Sequence, residues 1–104
     1  MATTYDQTCP VARTLTVIGE RWSLLILRDL LRFGPQRFQQ LEQSLAGVAP
    51  NTLSARLKTL EAHGVVATRL YETHPPRYEY FLTEKGKALS PVLKALYAWG
   101  ERFA

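Results

Sequence analysis

The segment Ala49–Gly64, APNTLSARLKTLEAHG, constrains this chain more than any other stretch, because it reads as one short helix with a marked start and a marked stop. Pro50 suits the first helical position, where the N–H it lacks would have had no partner. Leu53, Leu57 and Leu60 recur at i, i+4 and i+7, a single apolar stripe on a 3.6-residue period. Gly64 follows where a left-handed cap is cheap. Opposite the leucines the same spacing collects Asn51, Ala55, Lys58, Thr59 and Ala62, with Thr52 and Ser54 beside them and Glu61 on the core side. That outer face is short-chained, polar, cationic at one point and free of carboxylates. A face of this kind can approach a nucleic-acid groove closely, the alanines leaving room and Asn, Thr and Ser offering hydrogen bonds to base edges. Taken alone, the segment is more simply an ordinary amphipathic surface helix; its flanks reverse that reading.

Upstream, Cys9-Pro10 opens a helix over about 10–18, with Val11, Leu15 and Ile18 as its apolar stripe and Gly19 as its end. A second helix runs from about Glu20 to Phe33 and closes at Gly34-Pro35. Trp22, Leu25, Ile26, Leu30 and Phe33 make one stripe on it, and Leu24, Leu27 and Leu31 a second. A helix apolar nearly all round is buried on most sides, so this is the expected central strut, with Arg28, Asp29 and Arg32 as its polar exits. Phe38, Leu41 and Leu45 then hold helical spacing, and Gly47-Val48-Ala49 connects tightly into Pro50. Two short helices joined by a Gly-containing turn, over about 38–63, have the form of a helix-turn-helix.

After Gly64 the period changes from 3.6 to 2. Val65–Thr73 is rich in β-branched and aromatic residues, and Arg77–Thr83 alternates with Tyr78, Tyr80 and Leu82 on one side. His74-Pro75-Pro76 between them reads as a turn, since neither proline can donate to a ladder. The result is a β-hairpin over about 65–83 with a stiff tip flanked by Arg77, and with Arg69 further down the first strand. Hairpins close many small domains and Arg77 is then a solvated charge. A hairpin directly after a helix-turn-helix is a more specific pattern, a wing beside the recognition helix.

Thr83-Glu84 starts a last helix, expected to continue to Phe103 with a kink at Pro91, which cannot bond back to Lys87. Leu89, Val92, Leu93, Leu96, Tyr97, Trp99, Gly100 and Phe103 form its apolar sector, spread over roughly 160° where a surface helix needs about 100°. The surplus width calls for a second surface. Packing on the chain's own first two helices would be the simplest cover; in a chain of 104 residues a partner subunit, helped by the first helix, fits better. The fold class expected is therefore α+β, mostly α: one winged helix-turn-helix domain with N- and C-terminal dimerisation helices.

Thirteen Lys and Arg against nine Asp and Glu leave a net charge of +4, which favours a polyanionic partner only modestly. One cysteine rules out an internal disulfide framework and fits a reducing compartment. The longest apolar run, Leu24–Leu27, is too short for a membrane span, and the N-terminus lacks the apolar core of a signal peptide. A cytoplasmic protein is expected, with Met1–Thr8 a loosely held polar terminus. Catalysis has no constellation to stand on. His63 and His74 sit at no metal-ligand spacing with a carboxylate or with Cys9, and there is neither a phosphate-binding glycine loop nor a nucleophile motif. No enzyme activity, metal or cofactor is expected.

CPVARTLTVIGERWSLLILRDL, RFQQLEQSL, NTLSARLKTLE and PPRYEYFLTEKGKAL, in this order and spacing, resemble the HxlR-type winged-helix transcription regulators of bacteria, from about Cys9 to Trp99. The resemblance implies a homodimeric regulator of duplex DNA, with Asn51–Thr59 in the major groove, hence Asn51, Thr52, Ser54, Ala55, Lys58 and Thr59 at the bases and phosphates, and Arg77 near the minor groove or backbone. It also implies dimerisation through the first and last helices, which places Val11, Leu15, Val92, Leu96, Trp99 and Phe103 in the interface. Cys9 matches the cysteine that some members use to sense quinones, aldehydes or oxidants. It stands at the mouth of a helix, with Arg13 one turn on, a setting in which a thiol can serve as a regulatory site, whereas small thiols are also often buried and inert. The chain departs from the family in three ways. Ala49 stands where Ser or Thr is common, losing an N-cap side chain; Asn51 stands where a basic residue is frequent; and there is no second cysteine. The alternative is a winged-helix module that binds protein and has no DNA target of its own. A small-molecule effector is left open; no membrane partner is expected.

Overall fold

The fold is described from a computed structural model over residues 8–104; the polar terminus expected over Met1–Thr8 lies, apart from Thr8, outside the described residues. In chain order the elements are α1 (Pro10–Ile18), α2 (Arg21–Phe33), α3 (Phe38–Ser44), α4 (Pro50–Ala62), β1 (Val66–Thr73), β2 (Pro76–Leu82), α5 (Glu84–Lys87) and α6 (Ser90–Phe103). The chain is thus mostly α with one antiparallel two-stranded sheet.

The Glu20 carboxylate starts α2 by accepting from the Trp22 backbone N–H at 2.9 Å, an acid placed where the helix end is positive. Its Ile26, Leu27 and Leu30 are buried, and the helix packs against α1, α3, α4, β2 and α6. Leu53, Leu57 and Leu60 of α4 join this core, as do Leu41 and Leu45 from α3 and its end, and Val65, Val66 and Leu82 from the hairpin root. Two residues of α2 correct the sequence reading. Asp29, taken as a polar exit, is only 1% exposed, and its Oδ1 accepts from Arg28 Nε at 3.0 Å and Nη2 at 2.9 Å. Phe33, taken as part of the stripe, is exposed beneath the Arg32 guanidinium. Period counting places Phe33 on the stripe, but the helix ends there and the chain turns away at Gly34.

The hairpin pairs from Val66↔Leu82 to Thr73↔Pro76, with an irregularity between Leu70 and Glu72. Pro76, expected in the turn, is instead the first residue of β2, a strand position where a missing N–H is tolerated. Tyr78, Tyr80 and Leu82 grade from exposed through half-buried to buried, because only the hairpin root is covered by the body. Gln36, between α2 and α3, exchanges two backbone hydrogen bonds with Tyr80, at 2.9 and 2.7 Å, and so ties the hairpin to the helices.

The single kinked helix expected over 84–103 is two helices. α5 ends at Lys87, Ala88 and Leu89 form a turn, and Pro91 lies in the first turn of α6. Inside a helix Pro91 would cost the bond to Lys87 and crowd its carbonyl. At a helix start the missing N–H has no bond to lose, so the break is the cheaper solution. Leu89, just before α6, and Leu93 on it pack against the core, while Val92, Leu96, Tyr97, Trp99 and Phe103 stay exposed, as do Val11 and Leu15 of α1. The chain's own first two helices do not cover the wide apolar sector.

Candidate nucleic-acid interface

The turn between α3 and α4 is closed by the Val48 N–H donating to the Leu45 carbonyl at 3.0 Å. Ala49 then supplies the N-cap backbone of α4 with no side-chain cap bond. With Leu53, Leu57 and Leu60 fixed in the core, the opposite face is set by helical spacing alone. Asn51 and Lys58 are exposed; Thr52, Ser54, Ala55 and Thr59 are half-buried. The Thr59 hydroxyl donates to the Ala55 carbonyl at 3.1 Å, so its proton is already engaged and it can only accept from a ligand. Glu61 corrects the sequence reading. It is exposed rather than on the core side, and its charge, after burial, helps raise the Tyr80 pKa. The last turn of α4 is therefore not free of carboxylates, and Glu61 faces the hairpin.

The far end of α4 is held by residues that helical periodicity does not single out. Gly64 takes φ +72°, a left-handed turn that a side chain would strain. Lys85 Nζ donates to the His63 carbonyl at 2.7 Å, and the Thr83 hydroxyl oxygen lies 2.6 and 3.1 Å from the Gly64 and Val65 carbonyls. Gly86 permits this approach: a Cβ there would stand 2.2 Å from the Val65 carbonyl oxygen. The start of α5 is thus latched onto the end of α4.

The hairpin is less basic than its arginines suggest. Arg69 pairs with Glu79 across the strands at 2.7 Å, and Arg77 faces Glu72 in the register, so two Arg and two Glu leave β1–β2 without net charge from these groups. Arg77, beside the turn, is exposed and makes no salt bridge among the described residues. Sequence reasoning passed over Arg37. At the head of α3 its backbone N–H donates to Gln40 Oε1 at 2.8 Å, while its guanidinium lies 5.5 Å from the Tyr71 ring and donates to the Tyr71 hydroxyl at 3.4 Å. That hydrogen bond raises the Arg37 pKa further, so the cation between α3 and the hairpin is permanent. Tyr71 reaches it from the irregularity in β1 between Leu70 and Glu72, a placement that only the folded hairpin supplies.

Cys9 is the N-cap residue of α1, half-buried and without a side-chain cap bond. Arg13 donates its backbone N–H to the Cys9 carbonyl at 3.0 Å and its Nη1 to the Thr8 carbonyl at 3.3 Å. Val11 and Leu15 on α1, and Val92, Leu96, Trp99 and Phe103 on α6, are all exposed in the single chain. Among the described residues no three His, Cys, Asp or Glu side chains gather as a metal site would require, and no helix is long and apolar enough to cross a membrane.

A helix-turn-helix whose second helix is followed at once by a hairpin tied back to the first two helices defines a winged-helix protein. The chain matches the HxlR-like helix-turn-helix family over residues 17–104, and it belongs to that family of transcription regulators. It is 39% identical over 92 residues, 88% of this chain and 67% of the relative, to the HTH-type transcriptional regulator sll1512 of a Synechocystis species. Among solved structures it is similar to the redox regulator HypR in its oxidized form, with TM-score 0.86 and 34% identity over 92% of this chain and 98% of that one. It is also similar to the reduced form of the transcriptional regulator YodB of Bacillus subtilis, with TM-score 0.77 and 33% identity over 92% of this chain and 94% of that one.

Proposed function

We propose that this chain regulates transcription by binding duplex DNA as a homodimer, in the cytoplasm, with the outer face of α4 in the major groove and the hairpin tip on the flanking backbone. The observation that carries the reading is the face of Asn51, Thr52, Ser54, Ala55, Lys58 and Thr59, small enough for close approach and polar enough to meet base edges, with Arg77 exposed at the adjacent hairpin tip. Lys58 and Arg77 hold phosphates; Asn51, Thr52 and Ser54 discriminate bases; Ala55 gives clearance; Thr59 accepts a hydrogen bond. Two copies related by a two-fold axis read half-sites about 34–36 Å apart. Val11, Leu15, Val92, Leu96, Trp99 and Phe103 supply the interface between them.

Operator binding measured against salt tests the assignment. Lys58→Ala and Arg77→Ala are each expected to weaken binding and to flatten the logarithmic salt dependence by about one unit of slope. Changes at Asn51, Thr52 or Ser54 shift the preferred base pairs and leave the slope alone. Unchanged slopes in both cation variants would place the DNA elsewhere. Duplex binding that ignores salt, or none at all, would favour a module that binds protein.

Cys9 is the thiol through which an oxidant or electrophile acts on this regulator. With one thiol per chain the modified state is an adduct, a mixed disulfide or a bridge between the two subunits. The support is its position at the head of α1, beside Val11 and Leu15, so that modification alters the spacing of the two recognition helices without touching them. Operator binding of the wild type is expected to change on titration with diamide or a quinone, while Cys9→Ser does not respond. Equal responses in the two proteins would make Cys9 structural.

A further inference from the structure

A groove of about 940 Å³ runs between α2 and α6, apart from the surface formed by α3, α4 and the hairpin. Its floor is aliphatic: Leu24, Leu25 and Leu31 of α2 meet Leu93 and Leu96 of α6. Four cations edge it, Arg21, Arg28, Arg32 and Lys94, and no carboxylate lines it. The arginines stand at i, i+7 and i+11, which on a 3.6-residue period brings them into one row along α2. Arg21 lies over the Trp22 ring at 4.7 Å and Arg32 over the Phe33 ring at 5.7 Å. Stacking uses the guanidinium faces and leaves their N–H edges available to an anion. Arg28 spends two of its N–H groups on Asp29, and Lys94 makes no salt bridge among the described residues.

We propose that this groove binds a small amphipathic organic anion, a single carboxylate on an extended hydrocarbon chain, as in a medium-chain fatty acid. The cationic rim over an apolar floor is complementary to that chemistry and to neither a neutral nor a cationic amphiphile. Its shape selects a chain over a compact ring, since the row from Arg21 to Arg32 extends roughly 16 Å at the helical rise. A second copy of the protein is the wrong occupant on charge. The apolar helices it can offer, α1 and α6, carry Arg13, Lys94 and Arg102 against the one acid Glu101, so like charges would meet at the rim. The exposed residues Val92, Trp99 and Phe103 lie on another side of α6 from Leu93 and Tyr97, and Leu96, between the two, borders both the groove and that row. Because α2 packs against α3 and α4 as well, an occupant touches the helix that supports the recognition helix.

Titration calorimetry of the intact protein with dodecanoate, 1-dodecanol and dodecyltrimethylammonium, each below its micelle concentration, tests this directly. Dodecanoate is expected to bind saturably, one per chain, roughly tenfold or more tighter than either control, because only it can make charge-assisted hydrogen bonds at the rim. The double variant Arg32→Gln/Lys94→Gln, changed at two exposed positions, should melt like the wild type and lose roughly tenfold or more of that affinity. No saturable binding, equal affinity for the alcohol or the cation, or undiminished binding by the double variant would overturn the proposal. Sedimentation velocity on the same samples adds one more such outcome: a dimer that dodecanoate converts to monomers would show that a second copy fills the groove. DNA enters none of these measurements, so their failure and a failure of operator binding are separately visible.

Discussion

Replacing Trp99 and Phe103 together by glutamate is expected to leave each chain folded and to abolish tight operator binding. Both side chains are 62% exposed in the single chain, their rings 5.4 Å apart on the last turns of α6, so the core does not depend on them. Aromatic anchors of this size cost about 2 kcal/mol or more each when removed from an interface, and two-fold symmetry counts each change twice. Four such losses come to about 8 kcal/mol, so the dimer dissociation constant should rise by roughly 10⁵-fold or more, before the repulsion of the new carboxylates is added. Operator binding falls with it, since the second half-site no longer benefits from the effective concentration of a linked partner, an advantage of about 10²–10⁴. Sedimentation and fluorescence anisotropy on one sample read both consequences, and circular dichroism reads the fold. A monomeric variant that bound its operator with wild-type affinity would remove the dimer from the mechanism; a variant still dimeric would move the interface off α6.

The second large effect is on stability. Arg28→Ala leaves the Asp29 carboxylate, 1% exposed, without the two hydrogen bonds that now reach its Oδ1, and Oδ2 has no partner among the described residues. An uncompensated buried carboxylate costs about 3 kcal/mol. For a domain of this size that lowers the melting temperature by roughly 12–20 °C. Because Arg28 is itself partly exposed, the pair gives little net stabilisation over a well-packed apolar pair, so Arg28→Met combined with Asp29→Leu is expected to recover most of the loss. Thermal unfolding of the three proteins at one fixed protein concentration checks both statements, the concentration being held because association shifts the melting point. A loss below about 1 kcal/mol in Arg28→Ala would mean that water reaches the carboxylate through the vacated space.

How these features compare with the sequence depends on how local their causes are. The bounds of α4 are legible because Pro50, three leucines and Gly64 act within a turn or two of themselves, through sterics and a fixed helical period. The same holds for the end of α1 at Gly19 and for the change of period after Gly64. It fails at Pro91, because a proline is equally compatible with a kinked helix and with the first turn of a new one. Which of the two forms is decided by where Leu89 and Leu93 must pack. Asp29 and Glu61 fail for a related reason. Period counting gives the angle of a residue around its own helix, but burial depends on what stands opposite that angle. Asp29 is buried with its charge held by Arg28, while Glu61 stays exposed beside the hairpin.

The chain by itself therefore determined the class of the protein: the order of helix, turn, helix and hairpin, the residues on the outer face of α4, and more apolar surface on the last helix than one chain covers. Tertiary structure alone decided the rest. The register of β1 on β2 set Arg69 beside Glu79 and Arg77 opposite Glu72, which removes the net charge that the arginines suggest in isolation. Folding also carried Tyr71 to Arg37, Tyr80 to Gln36 and Lys85 to the end of α4. It brought α2 and α6 together, some sixty residues apart in sequence, to enclose the cation-edged groove. The division has one physical reason: backbone sterics and helical spacing act between near neighbours and are written residue by residue, whereas salt bridges, latches and grooves exist only between surfaces that the packing of the core brings into contact.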